Sequence, residues 1–198
     1  MKTIAILIFD GAEEMDFVGP LEVLAAAAED DANWRVVTVA ENRCAITCEK
    51  GMRVLPDHVY SEIKGVDVLV VPGGGGARRE TENKATVQWL ESIKEGCTWL
   101  TSVCTGAFLL VGSGLAAGKK VTTHHRFIDQ LNDLDLSTVV ENVRFVSDGR
   151  VVTAGGVMSG IEMSLWLIGQ IWGEDKIRRT RDYIAYDFPL RETSQTNH

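Results

Sequence analysis

The chain has 198 residues, is 45% hydrophobic and 24% charged, and carries a net charge of −8. That length and balance suit one α/β domain with a well-buried core. The acidic excess disfavours nucleic acid and anionic membranes as partners.

Thr3–Phe9 reads as a continuous apolar strand. It is too short for a signal peptide, and acidic residues follow it without a small-residue cleavage site. No apolar run is long enough to span a bilayer. With four cysteines and no secretion signal, the expectation is a cytoplasmic protein with free thiols. Phe17–Ala28 has a helical pattern, with Phe17, Val18, Leu21 and Leu24 on one face and Pro20 in the first turn. Trp34–Ala40 is strand-like, and Ile46 to Leu55 reads as a short hairpin or excursion. Val66–Val71 is a second buried strand ending in Pro72-Gly73-Gly74-Gly75-Gly76. Asn83–Glu95 is an amphipathic helix. Thr98–Val103 is a strand that runs directly into the helix Thr105–Ala116, with Gly118 as its cap.

Lys120–Thr123 is a short strand before His124 and His125, and Arg126–Leu131 is helical. Val143–Val146 and Arg150–Thr153 flank the hairpin signal Ser147-Asp148-Gly149. The apolar helix Val157–Ile171 and the charged helix Glu174–Ile184 follow. Residues 1–190 read as a single domain and 191–198 as a polar, frayed tail. Alternating β and α elements with continuously apolar strands imply a mainly parallel sheet covered by helices on both faces.

The reactive chemistry centres on Cys104. A cysteine at a strand-to-helix turn sits at the positive end of a helix dipole, which lowers the thiol pKa and makes a nucleophile. The arrangement parallels the nucleophile elbow of hydrolases. Cys44, Cys48 and Cys97 read instead as small buried hydrophobes. The Cys44-Ala-Ile-Thr-Cys48 spacing does not suit zinc, so no metal site is expected.

Asp16 lies beside apolar Met15 and Phe17, where burial raises a carboxyl pKa and lets it act as a proton donor. Glu13 and Glu14 read as solvated acids of the helix start. Gly73–Gly76 lacks a nucleotide-loop pattern. It is either a tight turn or a place where amides approach a substrate. His124 and His125 are not ranked by spacing. In a parallel sheet Asp16, the glycine run and Cys104 all follow strand ends and so fall on one edge.

Gly11-Ala12-Glu13-Glu14-Met15-Asp16, Val70-Val71-Pro72-Gly73-Gly74, Ser102-Val103-Cys104-Thr105-Gly106 and Thr122-Thr123-His124 occur in the order seen in the DJ-1/PfpI superfamily. Gly114-Leu115, Gly118-Lys119 and Thr153-Ala154-Gly155-Gly156 add to the match. The resemblance covers nearly the whole chain. It implies a flavodoxin-like sandwich, a homodimer, and a cysteine at a strained elbow.

Within the superfamily the chain resembles isocyanide hydratase and the amidase-like domains of related transcription regulators, without the regulators' appended DNA-binding domain. Asp16 stands where DJ-1 and its glyoxalase relatives carry glutamate, and Thr105 follows the cysteine as in the hydratase. The peptidase branch has a histidine there, which argues against proteolysis. One departure is His125, where the hydratase pattern has tryptophan.

The resemblance implies a cofactor-independent reaction on a small electrophile. Cys104 is the nucleophile, Asp16 the proton donor, and Thr105 a neighbour of the intermediate. Gly74, Gly75 and His124 line the substrate site. Other readings stay open: a glyoxalase or deglycase acting on methylglyoxal or glyoxal, a cysteine-based redox sensor, and a ligand-binding domain.

Overall fold

Ile4, Ala5, Ile6 and Leu7 are fully buried, and so are Val68, Leu69, Val70 and Val71. Runs that are apolar on every residue form strands with both faces covered. Burying each such side chain contributes roughly 1.5–3 kcal/mol. The computed structural model describes residues 1–188 and the backbone of Ser194–Gln195.

The first half contains β1 (Lys2–Leu7), α1 (Glu14–Ala28), β2 (Trp34–Ala40), β3 (Ile46–Thr47), β4 (Arg53–Val54), β5 (His58–Val59) and β6 (Val68–Val71). Next come α2 (Gly75–Glu80), α3 (Lys84–Ile93), β7 (Trp99–Val103) and α4 (Gly106–Gly112). A side excursion holds β8 (Lys120–Val121), α5 (Ile128–Asn132) and β9 (Thr138–Val139). The final elements are β10 (Phe145–Asp148), β11 (Val151–Ala154), α6 (Ser159–Trp172), α7 (Glu174–Tyr183) and β12 (Ser194–Gln195).

The central sheet has eight strands in the order β12-β10-β11-β7-β6-β1-β2-β5. Every pairing is parallel except the β10–β11 hairpin, which turns through Gly149. The expected mainly parallel sheet is therefore present. From β1 the chain steps to β2, whereas from β6 it steps the opposite way to β7. Right-handed crossovers then place α1 on one face and α2, α3 and α4 on the other. Helices α6 and α7 pack with α1. The adjacent strands β1 and β6 mark the point where the winding reverses, and a crevice opens beyond their carboxyl ends.

Several boundaries differ from the sequence reading. Helix α1 begins at Glu14 rather than Phe17, which puts Glu14 and Asp16 in its first turn. Part of the glycine run is the short helix α2, because Gly74 at φ +106° turns the chain into it. Helix α4 stops at Gly112 instead of Ala116; Ser113 Oγ donates to the Leu109 carbonyl and Gly114 reverses the chain at φ +78°.

Gly118 therefore caps no helix; it sits in the turn before β8 with its N–H on the Leu136 carbonyl at 2.8 Å. The predicted excursion at 46–55 is the antiparallel β3–β4 hairpin. The two-residue edge strand β5 carried no apolar run to announce it. Cys48 and Cys97 are buried as expected, whereas Cys44, in the loop before β3, is exposed. Within the stretch read as a frayed tail, Ser194–Gln195 pairs with β10. The remainder, 189–193 and 196–198, lies outside the described residues.

Candidate active site

Cys104 occupies the turn between β7 and α4 at φ +55°, a left-handed conformation that non-glycine residues rarely hold. Three contacts impose it. Its N–H donates to the Ala154 carbonyl at 2.9 Å. Its carbonyl accepts the Thr123 hydroxyl at 2.8 Å. Behind it, Gly106 packs against β6, where a Cβ would lie 2.3 Å from the Val71 carbonyl oxygen. The sequence-predicted elbow is thus clamped by the strand on each side, and Thr123 is a contributor that local sequence did not announce.

Asp16, fully buried in the first turn of α1, comes to the same place. Its Oδ2 accepts the Gly73 N–H at 2.9 Å. Its Oδ1 is buried without a hydrogen-bond partner among the described residues, and the side chains that bear on the carboxyl are Glu13, Cys104 and Lys50. Burial raises the Asp16 pKa to about 7, against the opposing pull of the Gly73 amide.

Burial, together with the Asp16 charge, also pushes the Cys104 thiol up to about 12, although the Thr105 amide and hydroxyl pull it down. This runs opposite to the direction expected from a strand-to-helix turn, because desolvation outweighs the few amides at the start of a short helix. The two groups compete for one proton through neutral pH. When Asp16 holds it, the carboxylate charge that penalises a thiolate is gone.

Thr105 is buried beside the cysteine. Its Oγ1 accepts the Gly74 N–H at 3.0 Å and lies 3.1 Å from the Gly74 carbonyl, to which it donates. Gly73 has no room for a side chain, since a Cβ there would sit 2.6 Å from the Thr105 nitrogen and 2.8 Å from Asp16 Oδ2. The Gly75 N–H donates to Glu49 Oε2 at 2.9 Å. Both glycine amides expected to face substrate are therefore already engaged.

A cavity of about 510 Å³ opens onto Cys104, Thr105, Gly74 and Gly75, and His124 lines it as well. Asp16 lies behind the wall rather than on it. The His124 ring packs at a tilt of 31° against His125, centroids 4.2 Å apart, and its Nδ1 accepts the Arg126 N–H at 3.3 Å. Partial burial and the neighbouring His125 and Arg126 lower its pKa. His125, the exposed member of the pair, lines a separate cavity.

The cavity has walls that sequence reasoning missed. Glu13 is not a free solvated acid; it pairs with Lys50 at 2.9 Å and faces the cavity. Glu14 Oε1 accepts the Lys50 and Met52 amides, while its Oε2 is buried. Glu49 and Lys50 arrive on the β3–β4 hairpin. That hairpin is fastened to the loop after β1 by Gly11 N–H to Thr47 O, Glu49 N–H to Ala12 O, and Thr47 N–H to Asp10 Oδ1. Arg78, Arg126, Phe127 and Val157 complete the lining. A carboxylate in the loop after one strand and a cation in a distant hairpin give no local signal of their meeting.

Among the described residues, no cluster of three or more His, Cys, Asp or Glu is arranged to hold a metal ion, and no helix is long and apolar enough to cross a membrane.

The chain is similar to proteins of known family and fold. An isonitrile hydratase from Pseudomonas putida is 31% identical over 183 residues, covering 92% of this chain and 78% of that protein. A glutathione-independent glyoxalase, DJR-1.2 of Caenorhabditis elegans, is 24% identical over 84% of this chain and 87% of its own length. The crystal structure of Drosophila melanogaster DJ-1beta superposes with a TM-score of 0.84 at 25% identity, covering 94% of this chain and 99% of that one. The DJ-1/PfpI family model matches residues 2–170. With its flavodoxin-like sheet and a cysteine elbow opposite an acid, the chain belongs to the DJ-1/PfpI family.

Proposed function

We propose that this protein hydrates a small isocyanide to an N-substituted formamide. The observation that carries the reading is Asp16. It is a fully buried carboxyl with its pKa raised to about 7, and the Cys104 side chain interacts with it. Such a group can take the thiol proton and return it to the adduct within one encounter.

The Cys104 thiol proton passes to Asp16, and sulfur bonds to the terminal carbon of R–N≡C. Asp16 then delivers that proton to the same carbon, giving the thioimidate R–N=CH–S–Cys. Water adds its oxygen to this carbon while a proton goes to nitrogen. The C–S bond breaks, the remaining hydroxyl proton returns to the Asp16–Cys104 pair, and R–NH–CHO leaves. Every proton and bond in this scheme comes from the chain, the isocyanide and one water.

The engaged glycine amides favour this chemistry over addition to an aldehyde or acyl group. Those reactions build negative charge on oxygen and call for free donors aimed at it. Here the Gly74 and Gly75 amides already serve Thr105 and Glu49. Isocyanide addition develops its charge where a proton is delivered instead. The similarity to a named isonitrile hydratase supports the same reading.

The test is product analysis with an alkyl isocyanide and, separately, methylglyoxal, using wild type, Cys104→Ala and Asp16→Asn. Formamide is expected from wild type and not from Cys104→Ala, with Asp16→Asn reduced at least a hundredfold. Full turnover by Cys104→Ala would end the proposal, as would lactate as the main activity.

A further inference from the structure

The lining of the cavity above Cys104 carries both signs of charge. Glu13 and Lys50 neutralise each other, and Glu49 keeps its charge while accepting the Gly75 amide. Two guanidinium groups of the same lining have no carboxylate partner among the described residues. Arg78 lies over the Phe127 ring at 4.8 Å and donates only to the neutral amide of Gln130, at 3.1 Å. The Arg126 side chain makes no hydrogen bond or ion pair among the described residues; only its backbone N–H is engaged, on His124 Nδ1. Both arginines are exposed and both line the cavity.

With Glu13 and Lys50 paired, Arg78 and Arg126 outnumber Glu49, so the lining is net positive on a chain with net charge −8. Repulsion between two such cations is unfavourable unless an anion joins them, and guanidinium groups match a carboxylate in geometry as well as charge. In the same lining Phe127, which lies under Arg78, and Val157 offer an apolar surface for a spacer. The cavity volume of about 510 Å³ accommodates a compact molecule with one reactive end and one anionic end.

We infer that Arg78 and Arg126 select substrates carrying a carboxylate, so that the preferred substrate class is an isocyano carboxylate whose apolar spacer rests on Phe127. This inference rests on the hydratase reading for its reactive end only. The arginines set specificity and touch no reacting atom.

The experiment compares 4-isocyanobenzoate with its methyl ester, following formamide production by wild type and by Arg78→Gln/Arg126→Gln. Wild type is expected to favour the carboxylate in kcat/KM by roughly tenfold to a hundredfold, the range of a charge-assisted contact. In the double variant the ratio should fall to near one. In wild type it should shrink as salt screens the exposed cations. A wild-type ratio of one or below, or a ratio unchanged in the double variant, overturns the inference while leaving hydratase activity intact.

If neither isocyanide turns over, the reaction assignment fails. The wall is then read separately, by titrating the unreactive 4-formamidobenzoate and its methyl ester into wild type and the double variant by calorimetry. Tighter binding of the acid that is lost in the variant supports the cationic wall. Equal binding of acid and ester refutes it.

Discussion

The Gly73 amide donates to Asp16 Oδ2 at 2.9 Å, joining residues 57 positions apart in sequence. This contact orients a carboxyl that burial otherwise disfavours in its charged form, and it leads to a prediction about stability. The unfolded Asp16 loses its proton near pH 4 and the folded one near pH 7. Between those values the unfolded state binds fewer protons, so stability falls as pH rises, and the loss is complete above pH 7. A shift of this size corresponds to about 4 kcal/mol. An asparagine at this position would keep the Gly73 contact through its amide oxygen without acquiring charge. Asp16→Asn is therefore expected to melt several degrees above wild type at pH 8, with the gap closing toward pH 4. A gap independent of pH would contradict the buried-carboxylate account.

Activity should follow the shared proton. Below pH 7 both Asp16 and Cys104 are protonated, and the pair lacks the base that takes the thiol proton. The log of kcat/KM is expected to rise with slope one up to about pH 7. It should then stay level through the alkaline range, because the second proton leaves only near the thiol value of about 12. Asp16→Asn should lose the break near pH 7. Alkylation of Cys104 by iodoacetamide, followed against pH in both proteins, checks the same break without substrate.

Gly73 has no room for a side chain beside the acid. Gly73→Ala would press a methyl group onto the Thr105 nitrogen and Asp16 Oδ2, at 2.6 and 2.8 Å. The expected result is destabilisation of about 1–3 kcal/mol, typical of overpacking, and a hundredfold or greater loss of turnover from displacing the acid. Gly74→Ala should be worse, since its Cβ would lie 2.2 Å from the Gly11 carbonyl oxygen at a φ of +106°. Thermal melts and product assays on both variants measure this ordering.

The elbow strain is also measurable. At φ +55° a residue with a Cβ is held at a cost that glycine avoids, of about 1–2 kcal/mol. Cys104→Gly is therefore expected to be as stable as Cys104→Ala or more so, although glycine loses more backbone freedom on folding. At an ordinary helix start the order would be reversed. Paired denaturant titrations decide it.

The sheet was legible because its strands are apolar on every residue, and Trp34–Ala40 matches the predicted bounds. The carboxyl-edge placement of Asp16, Gly73–Gly75 and Cys104 followed from parallel topology alone. Three things were hidden. Helix α2 starts within a glycine run, so its composition speaks for a turn. The direction of the Cys104 shift depends on burial depth, which neighbours in sequence do not reveal. The use of the Gly74 and Gly75 amides depends on Thr105 and on Glu49, and the latter comes from a hairpin outside the main sheet.

That hairpin has a consequence for how the family site can vary. The nucleophile and acid are built on the rim of the main sheet, while Glu49 and Lys50 belong to a small two-stranded unit attached by main-chain bonds at Gly11, Ala12 and Thr47. One wall of the chamber is thus an interchangeable panel. Its length can be rewritten by design to admit a differently shaped molecule without moving the sulfur, whereas a change of charge at Lys50 would reach the proton on Asp16.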